Sequence, residues 1–151
     1  MERKKICLAC SAGGHLQEML QLAPFYSKFD HFFLTFSRKD SDSLAKTEKV
    51  AFATRPARNP ISTLACIKES FEIFHREKPD VVIATGADVS VPMCFIAKLY
   101  GKKVVFIESF CRPLKPGISG RLVYPIADLF IYQWKALAKY YPKGKFGGSI
   151  F

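Results

Sequence analysis

The 151-residue sequence predicts a single α/β domain, residues 1–151, built on a doubly wound parallel sheet. Two observations favour this fold class. Short apolar runs alternate with stretches of helical periodicity along the whole chain, as in right-handed strand–helix–strand units. Glycine and polar residues also gather directly after several apolar runs, at the edge where parallel α/β sheets bind their ligands.

The opening stretch begins this pattern. Residues 6–10 are apolar, and a Ser-Ala-Gly-Gly turn and a helix-period pattern follow them. Gly13 and Gly14 let the backbone approach a ligand closely, and the first N–H groups of the next helix favour an anion. His15 lies in the first turn of that helix. A neutral imidazole accepts a proton readily near pH 7, so His15 is the leading candidate for a catalytic base; the alternative is an ordinary residue with a solvated ring.

The remaining elements follow in order. The sequence predicts strands at residues 31–36, 50–52, 81–84, 103–107 and 129–132, and a last strand or a partner-binding arm at 145–151. It predicts helices after the glycine turn and at 41–47, 61–78, 91–100, 117–124 and 134–141. Pro24 is expected to end or kink the first helix at Ala23, and Ser90 to cap the helix that contains Pro92.

The helix at 61–78 carries a conspicuous apolar stripe. Its members recur at helical spacing and are Ile61, Leu64, Ile67, Phe71 and Phe74. We expect this stripe to pack into the core. The alternative is a partly exposed surface that contacts a membrane or a partner subunit.

The charge balance indicates an acidic partner. Lys and Arg number 23 and Asp and Glu 13, which gives a net charge of +10. Nucleic acid, an anionic membrane surface and a phosphorylated substrate all fit such a balance. The basic residues are scattered and no nucleic-acid-binding motif accompanies them, so nucleic acid is not favoured.

The cysteines and the N-terminus favour a reducing, cytoplasmic compartment. Five cysteines show no disulfide framework. Cys7 and Cys10 spell C-x-x-C but fall on a predicted strand, where they point to opposite faces and are expected to be buried. No apolar run is long enough to span a membrane, and the first one is too short for a leader peptide.

Three charged residues follow the middle strands. Glu108 comes directly after an apolar strand and is the second candidate for proton transfer; an ion pair with Arg112 or a helix cap is the alternative. Arg112 has the bidentate geometry that grips a phosphate. Asp88 either lines the crevice or caps the following helix.

Two further residues accompany the glycine turn. Glu18 lies one helical turn from His15 and either orients the ring or faces solvent. Arg38 follows the second strand, where it would suit the 2′-phosphate of a nicotinamide dinucleotide. The turn lacks the G-x-G-x-x-G pattern, and no acidic residue closes the second strand, so a nicotinamide-dependent dehydrogenase is not favoured.

Four motifs in order resemble one known family, the acceptor-side subunit of split GT-B glycosyltransferases. They are residues 11–19 (SAGGHLQEM), residues 85–92 (TGADVSVP), Glu108-Ser109 with Arg112, and residues 124–134 (YPIADLFIYQW). One branch is the membrane-recruiting subunit of the dolichyl-diphosphate N-acetylglucosamine transferase. The other is its bacterial PssD-type relative in capsule and exopolysaccharide synthesis.

The resemblance implies a Rossmann-like domain equivalent to the N-terminal half of a GT-B enzyme. A separate chain would bind most of the UDP-sugar, and the acceptor would be a polyprenyl-diphosphate-linked sugar at the cytoplasmic face of the membrane. The family needs no metal or other cofactor. Eukaryotic members carry an N-terminal anchor whereas this chain starts at the first strand, so we expect peripheral attachment and the prokaryotic branch.

The resemblance also implies residue roles. His15 takes the place of the general base, with Glu108 as second candidate, in an inverting transfer to the acceptor hydroxyl. The acceptor-binding residues would be Gly13, Gly14, Glu18, Arg38, Asp88 and Arg112. The competing hypothesis is a non-catalytic adaptor that recruits a self-sufficient transferase to the membrane.

Overall fold

The computed structural model describes residues 3–151, which form a seven-stranded, entirely parallel sheet. Its strands are β1 (Lys5–Cys10), β2 (Asp30–Thr35), β3 (Val50–Phe52), β4 (Val81–Gly86), β5 (Lys103–Ile107), β6 (Leu129–Tyr132) and β7 (Lys145–Phe146). They are arranged in the order β3-β2-β1-β4-β5-β6-β7. The chain winds outwards in both directions from β1 and β4, so the predicted doubly wound fold is confirmed, and the point where the order reverses lies between these two strands.

Six α-helices within residues 3–151 flank the sheet. They are α1 (Gly14–Leu20), α2 (Ala23–Tyr26), α3 (Lys39–Leu44), α4 (Pro60–Glu77), α5 (Val91–Leu99) and α6 (Ile118–Val123). Buried residues of α1 and α2 pack with one set of strand side chains. Buried residues of α4, α5 and α6 pack with the other set. No helix within residues 3–151 combines the length and the apolar composition needed to cross a bilayer.

The sequence at each end of helix α4 determines where the helix begins and ends. The Asn59 side chain accepts hydrogen bonds from the backbone N–H groups of Ile61 (2.9 Å) and Ser62 (3.2 Å), and Pro60 occupies the first helical position. Lys78 ends the helix in the left-handed conformation, directly before a proline. The predicted bounds are therefore confirmed to within one residue at each end.

The face that α4 buries differs from the prediction. The stripe residues Ile61, Leu64, Ile67 and Phe71 are exposed, and only Phe74 is buried. The buried face instead consists of Cys66, Ser70, Ile73, Phe74 and Glu77. Small side chains at Cys66 and Ser70 let the helix lie close to its neighbours, with the Cys66 Sγ 3.9 Å from the Val89 carbonyl oxygen. The expectation of a core-packed stripe was therefore wrong.

Two other helical predictions were also wrong. Pro24 does not end α1, which stops at Leu20, but stands in the first turn of the separate helix α2. The segment 134–141 forms only a 3-10 turn at Lys135–Leu137, because its N–H groups bond mostly three residues back.

The two cysteines of the C-x-x-C sequence lie on opposite faces of β1, as expected. Cys7 packs in the cluster beneath α4 and α5, and Cys10 in the cluster beneath α1. Burial raises the pKa of both thiols. Neither is a reactive thiolate at neutral pH, so the prediction that they are buried apolar residues is confirmed.

A cluster of cations surrounds Glu77 at the amino-terminal edge of the sheet. The buried carboxylate accepts hydrogen bonds from Lys5 Nζ (2.8 Å), Lys49 Nζ (2.7 Å) and Arg76 Nε (3.1 Å). Burial raises the pKa of Glu77, but the three cations outweigh this effect and lower it to about 2. The cluster joins the end of α4 to the starts of two strands.

Replacing this carboxylate should remove a contribution to stability that depends on pH. The folded-state pKa lies below the ordinary value of 4.5, so the ionised group stabilises the fold above that pH and loses its effect as the pH falls towards about 2. We expect Glu77→Gln to lower the free energy of unfolding at pH 7 by about 3 kcal/mol. The deficit should narrow between pH 5 and pH 3, measured by urea denaturation. The exposed Glu72→Gln is the control; a deficit that stays constant over this range would contradict the prediction.

Candidate active site

His15 lies where the strand order reverses, beside the end of β4. Its Nδ1 atom is 2.7 Å from the Thr85 carbonyl oxygen. In return, the Thr85 hydroxyl donates to the His15 carbonyl oxygen at 2.9 Å. The ring is half-buried. Two hydrogen bonds thus fix the first turn of α1, and its imidazole, against the neighbouring strand.

The contact with Thr85 also sets the tautomer of the His15 ring. A carbonyl oxygen only accepts hydrogen bonds, so Nδ1 must carry the proton and donate it. In the neutral ring the lone pair then belongs to Nε2, which has no hydrogen-bond partner within residues 3–151. An oriented imidazole with a free Nε2 is the arrangement that a general base needs.

Gly86 leaves the space that the His15 ring fills. Its φ angle is +101°, and a Cβ atom placed there would lie 3.0 Å from the ring atom Cε1. The Gly86 carbonyl oxygen accepts from the Ser11 N–H (2.7 Å), and the Ser11 hydroxyl accepts from the Ala87 N–H (3.0 Å). Only glycine suits both the backbone angle and the close approach of the ring.

The glycine turn does not leave all of its backbone N–H groups open to an anion, although the sequence analysis expected them to be open. The Gly13 N–H donates to Asp40 Oδ2 at 2.6 Å, so this amide is already occupied. The Arg38 guanidinium covers the same glycine, with Nη1 3.0 Å from where a Cβ would stand. Arg38 is exposed and forms no ion pair with any residue in the 3–151 range. An anion at this turn would meet Arg38 and Gly14 first.

Glu18 is buried rather than facing solvent, and the solvent-facing alternative was wrong. Its side chain accepts hydrogen bonds from the Ser109 hydroxyl (2.8 Å), the Phe110 N–H (3.1 Å) and the Gln133 amide (3.4 Å). Burial raises the pKa of Glu18. These bonds join α1 to the loop after β5, so Glu18 positions the helix that carries His15 and offers no free oxygen to an acceptor.

Gln133 is a residue that the sequence analysis missed. Its amide nitrogen donates to the Glu108 carbonyl oxygen (3.1 Å) as well as to Glu18, and its oxygen accepts from the Ile150 N–H (2.8 Å). The signal was present in the sequence, because Gln133 directly follows the predicted strand at 129–132. Glu108 was identified in the same way, because it directly follows the predicted strand at 103–107.

The Glu108 carboxylate is buried and fully engaged. It accepts hydrogen bonds from the N–H groups of Ser109 and Gly117, both at 3.1 Å, and from the Tyr141 hydroxyl at 2.5 Å. A side chain at Gly120 would clash with it. Burial and this hydrogen bond raise the pKa of Tyr141.

This environment corrects one alternative for Glu108 and favours a structural role. It forms no ion pair with Arg112 within the described residues, and its carboxylate is buried and occupied by three hydrogen-bond donors. We therefore assign Glu108 a structural role, in which it holds the segment that leads into α6. His15 therefore remains the first candidate for the base, with Glu108 as the second.

Asp88 and Arg112 have different surroundings. Asp88 accepts from the N–H groups of Ala57 and Val89, both at 3.0 Å, so it ties the loop after β3 to the loop after β4. Arg112 lies on the exposed loop after β5 and has no carboxylate partner within residues 3–151. His15, Arg38 and Arg112 are the candidate residues that this edge leaves available to a ligand.

Comparison with known sequences identifies relatives. A family model described as "Oligosaccharide biosynthesis protein Alg14 like" matches residues 53–150. The UDP-N-acetylglucosamine transferase subunit ALG14 of Homo sapiens is 41% identical over 95 residues, which are 59% of this chain and 44% of the human protein. The Mus musculus protein of the same name is 29% identical over 182 aligned residues, covering 99% of this chain and 84% of its own.

Comparison with solved structures shows the same fold in larger chains. The UDP-N-acetylglucosamine 2-epimerase of Rickettsia bellii superposes with a TM-score of 0.80 at 15% identity, covering 99% of this chain and 46% of the epimerase. MurG of Acinetobacter baumannii superposes with a TM-score of 0.75 at 16% identity, covering 88% and 42%. This chain thus spans about half the length of these GT-B-like chains.

Proposed function

The chain belongs to the Alg14-like family of oligosaccharide biosynthesis proteins, and from this membership we propose that it is the acceptor-binding half of a two-chain, UDP-sugar-dependent glycosyltransferase. The observation that carries the proposal is the His15 imidazole, whose Nδ1 is held by the Thr85 carbonyl and whose Nε2 is free. It stands at the edge where α/β sheets bind ligands. A separate chain would supply the facing half and most of the UDP-sugar site.

The proposed reaction is an inverting displacement. His15 Nε2 takes the proton of the acceptor hydroxyl while the acceptor oxygen forms a bond to the anomeric carbon of the sugar. The bond between that carbon and the UDP oxygen breaks, and UDP leaves with the electron pair. Thr85 fixes the ring during proton transfer, and Glu18 holds the helix in place through its bonds to the loop after β5.

We propose a lipid-linked sugar with a diphosphate as the acceptor. Arg38 and Arg112 flank His15 along the sheet edge, one after β2 and the other after β5, and both are exposed cations. Guanidinium groups bind phosphate oxygens in bidentate fashion. Gly14 adds an exposed backbone position between them, whereas Gly13 serves mainly to let Arg38 lie close.

The experiment is a reconstitution from purified chains. This chain and a donor-binding partner are tested alone and together with radiolabelled UDP-sugars and short-chain polyprenyl-diphosphate-linked acceptors. Transfer only by the mixture would support the proposal. Acceptors based on dolichyl and on bacterial polyprenyl diphosphates would distinguish dolichol-linked glycan synthesis from capsule or exopolysaccharide synthesis.

A non-catalytic adaptor is the second candidate, and the exposed apolar face of α4 favours it. Ile61, Leu64, Ile67 and Phe71 offer a contact surface without any chemical group. An adaptor would raise the activity of a partner that already transfers sugar to a soluble acceptor by itself. Activity of the partner alone in detergent would therefore replace the first proposal with this one.

Substitution of Gly86 tests whether transfer depends on the position of the His15 ring, which packs against this glycine. Gly86→Ala places a Cβ 3.0 Å from the ring and must displace it, so we expect transfer by the assembled enzyme to fall roughly 10- to 100-fold. Gly101→Ala is the matched control, because Gly101 also has a positive φ (+71°) but no neighbour within 4 Å of the added atom. Both variants should lose about 1–2 kcal/mol of stability. Equal transfer rates for Gly86→Ala and Gly101→Ala would argue against the need for a precisely positioned His15 ring.

A further inference from the structure

The loop after β5 and the helix α6 present a second apolar surface, which we call the 112–122 segment. Leu114, Ile118 and Leu122 recur every four residues and are exposed by 70%, 63% and 51%. Ile118 and Leu122 lie one turn apart on α6, and Leu114 lies in the loop before it. Exposed large apolar side chains gathered in one segment mark a contact surface. This surface lies next to the candidate active site, because the segment leaves the same sheet edge that carries His15.

Three cations lie among these apolar residues. Arg112, Lys115 and Arg121 are exposed and form no ion pair within residues 3–151. The carboxylate of Glu108 lies beneath the segment, where it is buried and accepts a hydrogen bond from the Gly117 N–H. The exposed side of the segment therefore carries only positive charge.

The opposite edge of the sheet is different. Seven of the eight ion pairs in residues 3–151 lie at the amino-terminal ends of the strands, where cations are neutralised. Their carboxylates are Glu48, Glu77, Asp80 and Asp128. On the side of the active site, Arg38 and Arg112 form no ion pair within the described residues.

The inner side of the 112–122 segment is anchored, so its apolar residues cannot turn inward. The Gly117 N–H donates to Glu108, Gly120 packs against the same carboxylate, and Pro116 and Val123 are buried. The exposed pattern of Leu114, Ile118 and Leu122 is therefore a fixed property of the fold.

We propose that the 112–122 segment docks the chain on an anionic lipid bilayer. Leu114, Ile118 and Leu122 enter the interface between headgroups and acyl chains, and the neighbouring cations contact the lipid phosphates. The inference rests on the proposed lipid-linked acceptor, because docking here brings the edge with His15 to the surface where such an acceptor lies. A bilayer fits this segment better than a protein partner does, since its charges are of one sign and lack counter-ions.

The apolar face of α4 is the competing surface, and its charges are mixed. Lys68 and Glu72 form an ion pair across one helical turn at 3.9 Å, which leaves that face nearly neutral. An anionic surface therefore attracts the 112–122 segment more strongly than α4.

The test is co-sedimentation of the purified chain with lipid vesicles, which requires no donor, partner or sugar transfer. Vesicles contain phosphatidylcholine alone or with about 30% phosphatidylglycerol, to supply a negative surface. We expect the wild type to bind the anionic vesicles at least tenfold more tightly. Leu114→Ser/Ile118→Ser/Leu122→Ser should weaken this binding at least tenfold, and Lys115→Gln/Arg121→Gln about tenfold.

Two controls make the result specific. Leu99→Ser removes another exposed leucine, at the far end of α5, and should bind like the wild type. Ile61→Ser/Leu64→Ser/Phe71→Ser removes a similar apolar area from α4 and should also retain binding. Circular dichroism confirms that each variant is folded.

Three outcomes would overturn the inference. Equal binding to neutral and anionic vesicles would remove the role of charge. Loss of binding in the α4 variant but not in the 112–122 variant would place the membrane on α4. If the Leu114→Ser/Ile118→Ser/Leu122→Ser variant bound vesicles like the wild type but no longer assembled with the partner chain, the segment would be a partner-binding surface. Vesicle binding without any sugar transfer would leave this inference standing while the proposed function fails.

Discussion

Replacement of His15 by alanine is expected to reduce sugar transfer by the assembled two-chain enzyme by a factor of about 100 to 10,000. The variant lacks the imidazole whose Nε2 would take the acceptor proton, and no other described residue offers an equivalent group at this edge. The ring is half-buried and donates one side-chain hydrogen bond, to Thr85. We therefore expect only a small change in stability, and transfer of labelled sugar at saturating substrate measures the effect.

The control for this substitution is another histidine. His75 lies exposed on α4, where it contacts the Phe71 carbonyl oxygen (2.9 Å) and the Tyr100 hydroxyl (3.0 Å). His75→Ala should transfer sugar at the wild-type rate. A His15→Ala enzyme that assembles and retains full activity would remove His15 from the chemistry and favour the adaptor.

Replacement of Glu108 by alanine is expected to lower the free energy of unfolding by about 3 kcal/mol, as large an effect as that of Glu77→Gln at pH 7. It leaves the N–H of Gly117 and the hydroxyl of Tyr141 without their acceptor in a buried site. Tyr141→Phe removes only one of these bonds and should cost about 1 kcal/mol. Thermal and urea unfolding of the two variants measures this gradation.

The same variant separates a structural from a catalytic role for Glu108. In a structural role, lost transfer follows the unfolded fraction, so activity returns at low temperature where Glu108→Ala is folded. The rate per folded molecule should stay within a few-fold of the wild type. A folded Glu108→Ala enzyme with no transfer would instead restore Glu108 as a catalytic candidate.

The fold was predictable because its determinants are local. Apolar runs, the turn at Gly13 and Gly14 and the capping sequence around Asn59 each act within a few residues. Alternation along a strand likewise placed Cys7 and Cys10 on opposite faces. These features need no knowledge of distant contacts.

The face that α4 buries was not predictable from its own pattern. Hydrophobicity alone selected the stripe that contains Ile61 and Leu64, but the helix turns Cys66 and Ser70 to the sheet because small side chains allow closer packing. The depth available between α4 and its neighbours is a property of the assembled domain. A sequence pattern cannot supply it.

The candidate site was predictable in position but not in its bonding. His15 and Arg38 lie at the expected edge, whereas the bond from Gly13 to Asp40 joins residues 27 apart in the chain. The bonds of Glu18 to Ser109 and Gln133 span 91 and 115 residues. Such contacts decide which charged groups remain free, and a linear sequence does not contain them.

The neutralised cations at the amino-terminal edge have a consequence for how the molecule meets other charges. Seven of the eight ion pairs within residues 3–151 lie at that edge, so unpaired cations such as Arg38 and Arg112 at the other edge are free to meet an anion, and the net charge is +10. The field of a polyanion attracts such cations before contact and favours approach with that edge forward. This steering acts over roughly 10 Å at about 0.1 M salt, a distance comparable to the thickness of one layer of helices.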